Sequence, residues 1–126
     1  MQSAQPMEIL TRIAAGGLVF FGAVHVALTG RNYQLASAEA LWFAGTGIML
    51  IAAGLLTYCA SLRNARSARV CSLIVNVLGF TLAIMAVPIV QAPHVYVLIA
   101  FFLGALIGVS GLVLKQPPTK PAEIGR

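Results

Sequence analysis

Five polar side chains that could do chemistry lie near the ends of long apolar segments: His25, Arg31, Glu39, Gln91 and His94. Two imidazoles and one carboxylate could bind a divalent metal, relay protons or hold haem between the imidazoles. Neither histidine belongs to an HxxxH or ExxH pattern, which would place two ligands on one helical face. We therefore expect no resident metal or cofactor. The five residues are predicted to form a polar site at one rim of the protein, which is either structural or contacts a ligand.

Nucleophilic catalysis has no support in the sequence. No Ser, Cys or Thr is arranged with a discernible base and orienting residue, and no Gly-rich phosphate loop follows a strand. Cys59 and Cys71 match neither a CxxC nor a zinc spacing, and we interpret them as packing residues. The sequence therefore predicts that the protein is not an enzyme.

The chain that positions these residues is far more apolar than a soluble domain. Of its 126 residues, 60% are hydrophobic and 9% are charged, against about 45–50% and about 25% in soluble domains. Four apolar runs, at 9–28, 40–60, 70–90 and 95–114, have the length of a membrane-spanning helix. Backbone groups in lipid must be satisfied within helices. We predict one all-α domain, residues 1–126, forming an integral membrane four-helix bundle of up-down topology.

The basic residues favour one side of the predicted membrane. Seven precede or follow spans on one side, at Arg12, Arg63, Arg66, Arg69, Lys115, Lys120 and Arg126, and only Arg31 lies on the other. Cytoplasmic loops retain Lys and Arg, so both termini are predicted in the cytoplasm. The Pro-rich polar tail, 116–126, is expected to be extended there.

Arginines and aromatic residues add expectations about the membrane surface. Arg63, Arg66 and Arg69 are predicted to meet anionic lipid headgroups, whereas three arginines in a tight turn give no element for nucleic-acid binding. Amphipathic rings near the predicted rims are expected to be interface anchors: Tyr33, Trp42, Tyr58 and Tyr96. Membrane lipid is therefore the expected partner, and nucleic acid is not.

Small residues recur along the spans at spacings that place them on one helical face. They are Ala40, Gly47, Gly54 and Ser61 in the second span, Ser72, Asn76, Gly79 and Ala83 in the third, and Ala100, Gly104, Gly108 and Gly111 in the fourth. Such faces let membrane helices approach closely, and a buried Asn usually donates to a neighbouring helix. We expect these residues to pack either within the bundle or against a second copy in a homodimer.

Two local pairings are also predicted. Glu8 and Arg12 are four residues apart at the start of the first span and are expected to form an ion pair. Glu39 follows Ser37, which can cap the second helix, and its charge suits the positive end of the helix dipole. His25 is expected to bond to Glu39 or to a loop carbonyl.

The first span reads TRIAAGGLVFFGAVH over residues 11–25 and resembles the opening of small bacterial four-helix membrane proteins of the DoxX-like kind. The shared features are a basic residue at the cytoplasmic edge, Arg12, then a Gly-rich turn and a Phe-Gly pair before a polar residue. The resemblance implies a four-span fold in the inner (plasma) membrane of a bacterium, and some proteins of this group are linked to membrane-associated redox systems. Small multidrug exporters share the four spans but carry a carboxylate deep in the first helix, whereas Glu8 lies at its rim.

Three functions follow as hypotheses. The first is a small membrane protein with an accessory or scaffold role, which associates with itself or with a larger membrane complex. The alternative is a small carrier or proton-linked permease whose mouth is formed by His25, Glu39 and His94, and it requires a cavity that runs toward Asn76. The third is a quinone- or haem-associated redox protein.

Overall fold

Four helices make up the parts of the chain that the computed structural model describes, residues 6–34, 37–62 and 66–115. They are α1 (Pro6–Asn32), α2 (Ala38–Ala60), α3 (Arg66–Val90) and α4 (Pro93–Leu114). Each helix is long and apolar enough to cross a membrane, and each contains one of the four apolar runs. The prediction of an all-helical chain is therefore confirmed over the described residues, outside which the 116–126 tail lies.

Three helix boundaries are formed by residues that favour the start or the end of a helix. Ser37 caps α2, because its side-chain oxygen accepts a hydrogen bond from the Ala40 amide at 3.1 Å. Gln91 has a φ of 45°, and this left-handed conformation ends α3. Pro93 then begins α4, where its missing N–H has no helical partner to lose. The connection from α3 to α4 is therefore only two residues long.

Neighbouring helices run in opposite directions. On α1 and α2, Gly22 lies against Gly47 while the earlier Ala15 lies against the later Gly54. Each helix packs against two others, and α2 barely touches α4. One end of the protein, here called the His25 end, carries the ends of α1 and α3 and the starts of α2 and α4. The opposite end is called the Arg69 end.

Small residues bring α1 close to α2 and α4. Gly47 and Gly54 of α2 contact α1, and a Cβ on Gly54 would lie 2.7 Å from the carbonyl oxygen of Ala15. On α4, Gly104 and Gly108 also face α1. The small faces of α2 and α4 thus pack within the chain, around a core of Leu18, Leu50, Ala53, Ala83, Leu98 and Phe102. Ala100 is the exception on α4, because its side chain is exposed. Such close approach gains the van der Waals contact that holds helices together in lipid.

Candidate functional site

A cavity of about 380 Å³ lies between the helices at the His25 end. All four helices contribute to its walls, and most of the lining side chains are apolar. On the α3 side the wall is made partly of small residues, Gly79, Ala83 and Ala86. The polar groups among the described lining residues are His25, Tyr33, Thr46 and His94. The other α3 side chains in the wall, Leu82 and Val90, are larger.

His25 is held in place on two sides. Its Nδ1 lies 2.9 Å from the carbonyl oxygen of Phe21, one turn earlier on α1. Its ring stacks on Phe43 of α2, with centroids 4.6 Å apart and planes 25° apart. Tyr33 packs on Phe43 in turn, at 5.2 Å between ring centroids. His25 is only 9% exposed, so the ring has a fixed position at the cavity wall.

The two predicted site histidines come together, but the other three predicted residues do not join them. The His94 ring is 6.1 Å from that of His25 between centroids, edge to face, and both line the cavity. Arg31, Glu39 and Gln91 are exposed and are not among the lining residues. The expected bond from His25 to Glu39 or a loop carbonyl was wrong, because the His25 Nδ1 instead bonds to the Phe21 carbonyl oxygen of its own helix.

The Phe102 ring of α4 lies directly against Gly79 of α3, and both residues line the cavity. Asn76, one turn earlier on α3, is fully buried and does not line the cavity. Its amide Nδ2 donates to Thr57 Oγ1 on α2 at 2.8 Å and to the Ser72 carbonyl oxygen at 2.7 Å. This is the cross-helix bond expected of a buried Asn. The Asn76 Oδ1 atom has no partner in the described part of the chain.

At the opposite end, Arg69 is 8% exposed and points inward. Its Nε donates to the Ala60 carbonyl oxygen at 3.0 Å, and its Nη1 donates to that of Leu112 at 2.9 Å. These carbonyls belong to the last turns of α2 and α4, where helices carry unpaired acceptors and partial negative charge. The prediction that Arg69 meets lipid headgroups was therefore wrong, whereas Arg66 is exposed and Arg63 lies outside the described residues.

Two further expectations at the Arg69 end were also wrong. Glu8 and Arg12 form no ion pair, and the Arg12 Nε instead donates to the Ser61 hydroxyl at 3.4 Å. Cys59 and Cys71 are free thiols on exposed faces of α2 and α3, so they do not pack in the interior. Spacing along the chain predicted the end of the bundle at which these residues lie, but it did not indicate which way each side chain points.

Within the described ranges, no three His, Cys, Asp or Glu side chains come together in a group that could hold a metal ion. The cavity contributes two imidazoles, a phenol and a hydroxyl, with no carboxylate among its described lining residues. Chemically, these groups can position a bound molecule through hydrogen bonds and ring contacts. They offer no activated nucleophile.

No family model matches the chain, and comparisons with curated proteins and with solved structures find no match. The resemblance of residues 11–25 to DoxX-like proteins accordingly stays a prediction. The function has to be argued from the cavity itself.

Proposed function

We propose that this is a non-enzymatic accessory protein of the bacterial inner membrane that holds one small, mostly apolar molecule in the cavity at the His25 end. The cavity carries the proposal. Small-molecule sites are typically concave, about 300–1,000 Å³ in volume, and mostly apolar with a few placed polar groups. The cavity has that size and that lining, and two of its polar groups, His25 and His94, lie side by side.

The membrane placement is supported by the outer surface of the helices. Large apolar side chains face outward on all four, and Trp42 is 77% exposed. Such a surface suits lipid, which we propose as the constant partner. Among the described residues the Arg69 end carries Arg12, Arg66, Arg69 and Lys115, and the His25 end carries Arg31. We infer an up-down bundle whose Arg69 end and termini are cytoplasmic, so that the cavity lies toward the outer face.

This orientation can be tested with single cysteines in a background in which Cys59 and Cys71 are replaced by serine. Gln34→Cys lies at the His25 end and Ser67→Cys at the Arg69 end, and both positions are exposed. In intact spheroplasts, a membrane-impermeant maleimide is expected to label Gln34→Cys and to label Ser67→Cys only after lysis. The reverse pattern would place the cavity on the cytoplasmic side.

The accessory role is supported by which helix faces pack within the bundle and which face stays free. The glycines of α2 and α4 that could have formed a homodimer face are packed against α1. The outer face of α3 stays free, since only 11% of its most apolar stretch is buried. Contact with lipid or with a larger membrane complex is therefore proposed on α3.

A carrier is the second candidate, and one observation favours it. Gly79 of the cavity wall lies one turn along α3 from Asn76, which forms a buried cluster with Thr57 and Ser72 and whose Oδ1 has no described partner. None of these three residues lines the cavity, so transport would require packed side chains such as Phe102, which lies against Gly79, to move. Glu39 does not line the cavity and cannot accept a proton from a molecule within it. Holding a molecule needs none of these movements.

Filling the cavity should abolish binding. Ala86→Phe places a ring in the cavity from α3, and Ala52→Phe adds the same ring on an exposed face of α2 as a matched control. In native mass spectrometry from mild detergent, the wild type and Ala52→Phe are expected to retain a non-protein mass that Ala86→Phe loses. Circular dichroism checks that both variants stay helical.

Either of two results would contradict the binding proposal. The first is a wild-type protein that retains no added mass, and the second is equal retention by all three proteins. Retained haem would favour the redox hypothesis instead. The same spectra give the oligomeric mass, and a dimer would show that self-association uses surfaces other than the packed glycines.

A further inference from the structure

The hydrogen bond of His25 determines what its other nitrogen can do. A carbonyl oxygen only accepts hydrogen bonds, so Nδ1 carries the hydrogen that lies between it and the Phe21 oxygen, 2.9 Å away. In the neutral ring, Nε2 is then left with a lone pair and acts as an acceptor. The described residues provide no hydrogen-bond partner for Nε2. The cavity wall therefore presents one unused acceptor on a ring that is fixed by stacking.

The charge of the lining limits the molecules that the cavity can hold. No Asp, Glu, Lys or Arg is among the described lining residues. A charged group that enters such a site loses its hydration and gains no counter-charge, which is costly. A neutral molecule enters without that cost. The cavity is thus suited to a neutral ligand.

The shape of the cavity favours a planar ring. Gly79, Ala83 and Ala86 are spaced four and three residues apart, so they share one face of α3 and form a strip of small side chains, beside which Leu82 and Val90 also line the cavity. Phe43 and Phe102 add aromatic surface on the α2 and α4 sides. Aromatic rings pack favourably against one another in offset or edge-to-face geometry.

We propose that the ligand is a neutral aromatic molecule bearing a hydroxyl group, which donates its hydrogen bond to Nε2 of His25. This inference rests on the proposed function, since it names the class of molecule that the cavity holds. The aromatic ring lies along the small-residue strip of α3, and the hydroxyl points to the histidine. Three other lining side chains have acceptor atoms. The Thr46 hydroxyl is bound to the Trp42 carbonyl oxygen of its own helix, to which it donates at 2.9 Å. The Tyr33 hydroxyl and the exposed ring of His94 can either donate or accept and so discriminate less.

The test compares 1-naphthol with 1-methoxynaphthalene, which has the same ring system but no hydrogen to donate. Binding to the protein in nanodiscs is measured by equilibrium dialysis at pH 8 against empty nanodiscs, which corrects for partition into lipid. The naphthol is expected to bind about three- to tenfold more tightly, the range for one net hydrogen bond. His25→Phe keeps a stacking ring without the acceptor and should remove this preference. Ala52→Phe, which adds a ring on an exposed face of α2 and does not touch the cavity lining, is the control and should keep it.

A second measurement does not depend on any variant. His25 and His94 are the only histidines, so protein labelled with ¹⁵N-histidine gives resonances from just two rings. Naphthol is expected to shift the Nε2 resonance of one ring toward the protonated range, and the methoxy compound is not. Equal binding of both compounds with no such shift would overturn this inference and leave the proposed function standing. Binding of neither compound would count against both.

Discussion

Adding one methyl group at Gly22 is expected to destabilise the protein by about 1–3 kcal/mol. A Cβ at this position would lie 2.5 Å from the Gly47 carbonyl oxygen and 2.8 Å from the Ile51 amide nitrogen. Both are backbone atoms of α2, which cannot rotate away as a side chain would. Gly22→Ala must therefore push α1 and α2 apart, and the close contact between Gly54 and Ala15 is weakened with it.

Gly16→Ala is the matched control on the same helix, because nothing lies within 4 Å of the Cβ that it adds. Alanine is the better helix former by up to about 1 kcal/mol, so this variant should be as stable as the wild type or more stable. The measurement is the midpoint of unfolding in sodium dodecyl sulfate, followed by circular dichroism. Equal midpoints for the two variants would contradict the close packing of α1 on α2.

The helices themselves could be predicted from the sequence because lipid imposes a simple requirement. A spanning helix needs about 20 apolar residues, and four such runs are visible. The seven-residue spacing of Gly47 and Gly54 likewise indicated a packing face on α2. It did not indicate that α1 is the partner, because a small residue shows only that something approaches. The choice of partner depends on the matching surface of another helix, where Gly22 stands.

The sequence predicted the position of the candidate site along the helices but not which residues line it. His25 ends one span and His94 precedes another, so alternating spans bring both to the same end. Glu39 is at the same end too, but its side chain is exposed, whereas the next residue, Ala40, is buried. Whether a residue lines the cavity depends on the direction in which its side chain points around the helix axis. The position of the residue along the helix does not give that direction.

The aromatic residues of the site were harder to anticipate. Tyr33 was expected to be an interface anchor, yet its ring packs on Phe43 and lines the cavity. Trp42, Tyr58 and Tyr96 are exposed on the helix surface. A cavity forms where side chains do not fill the space between helices, and a sequence pattern does not show such unfilled space directly. The available signal was the small-residue face of α3, which continues from Gly79 through Ala83 to Ala86.

Removal of the Arg69 guanidinium is expected to cost about 2–6 kcal/mol of stability, because each of two buried carbonyls left unpaired costs about 1–3 kcal/mol. This group donates to the carbonyls of Ala60 and Leu112 and so joins the last turns of α2 and α4, which otherwise barely touch. Arg69→Met keeps an unbranched apolar stem but leaves both buried acceptors without donors. Unpaired buried acceptors carry the full cost of their lost hydration. Arg69→Lys should fall between, because a single ammonium cannot reproduce the planar fork of donors.

Arg66→Met is the control that separates the loss of the Arg69 hydrogen bonds from a general effect of removing one positive charge. Arg66 lies one turn earlier on α3 and is exposed, so its loss should change stability by less than about 0.5 kcal/mol. Both variants remove one positive charge from the same end, and any effect on membrane orientation is therefore common to the two. Midpoints in sodium dodecyl sulfate should be far lower for Arg69→Met. A similar midpoint for both would mean that the buried guanidinium does not hold α2 and α4 together, and its inward position would then need another cause.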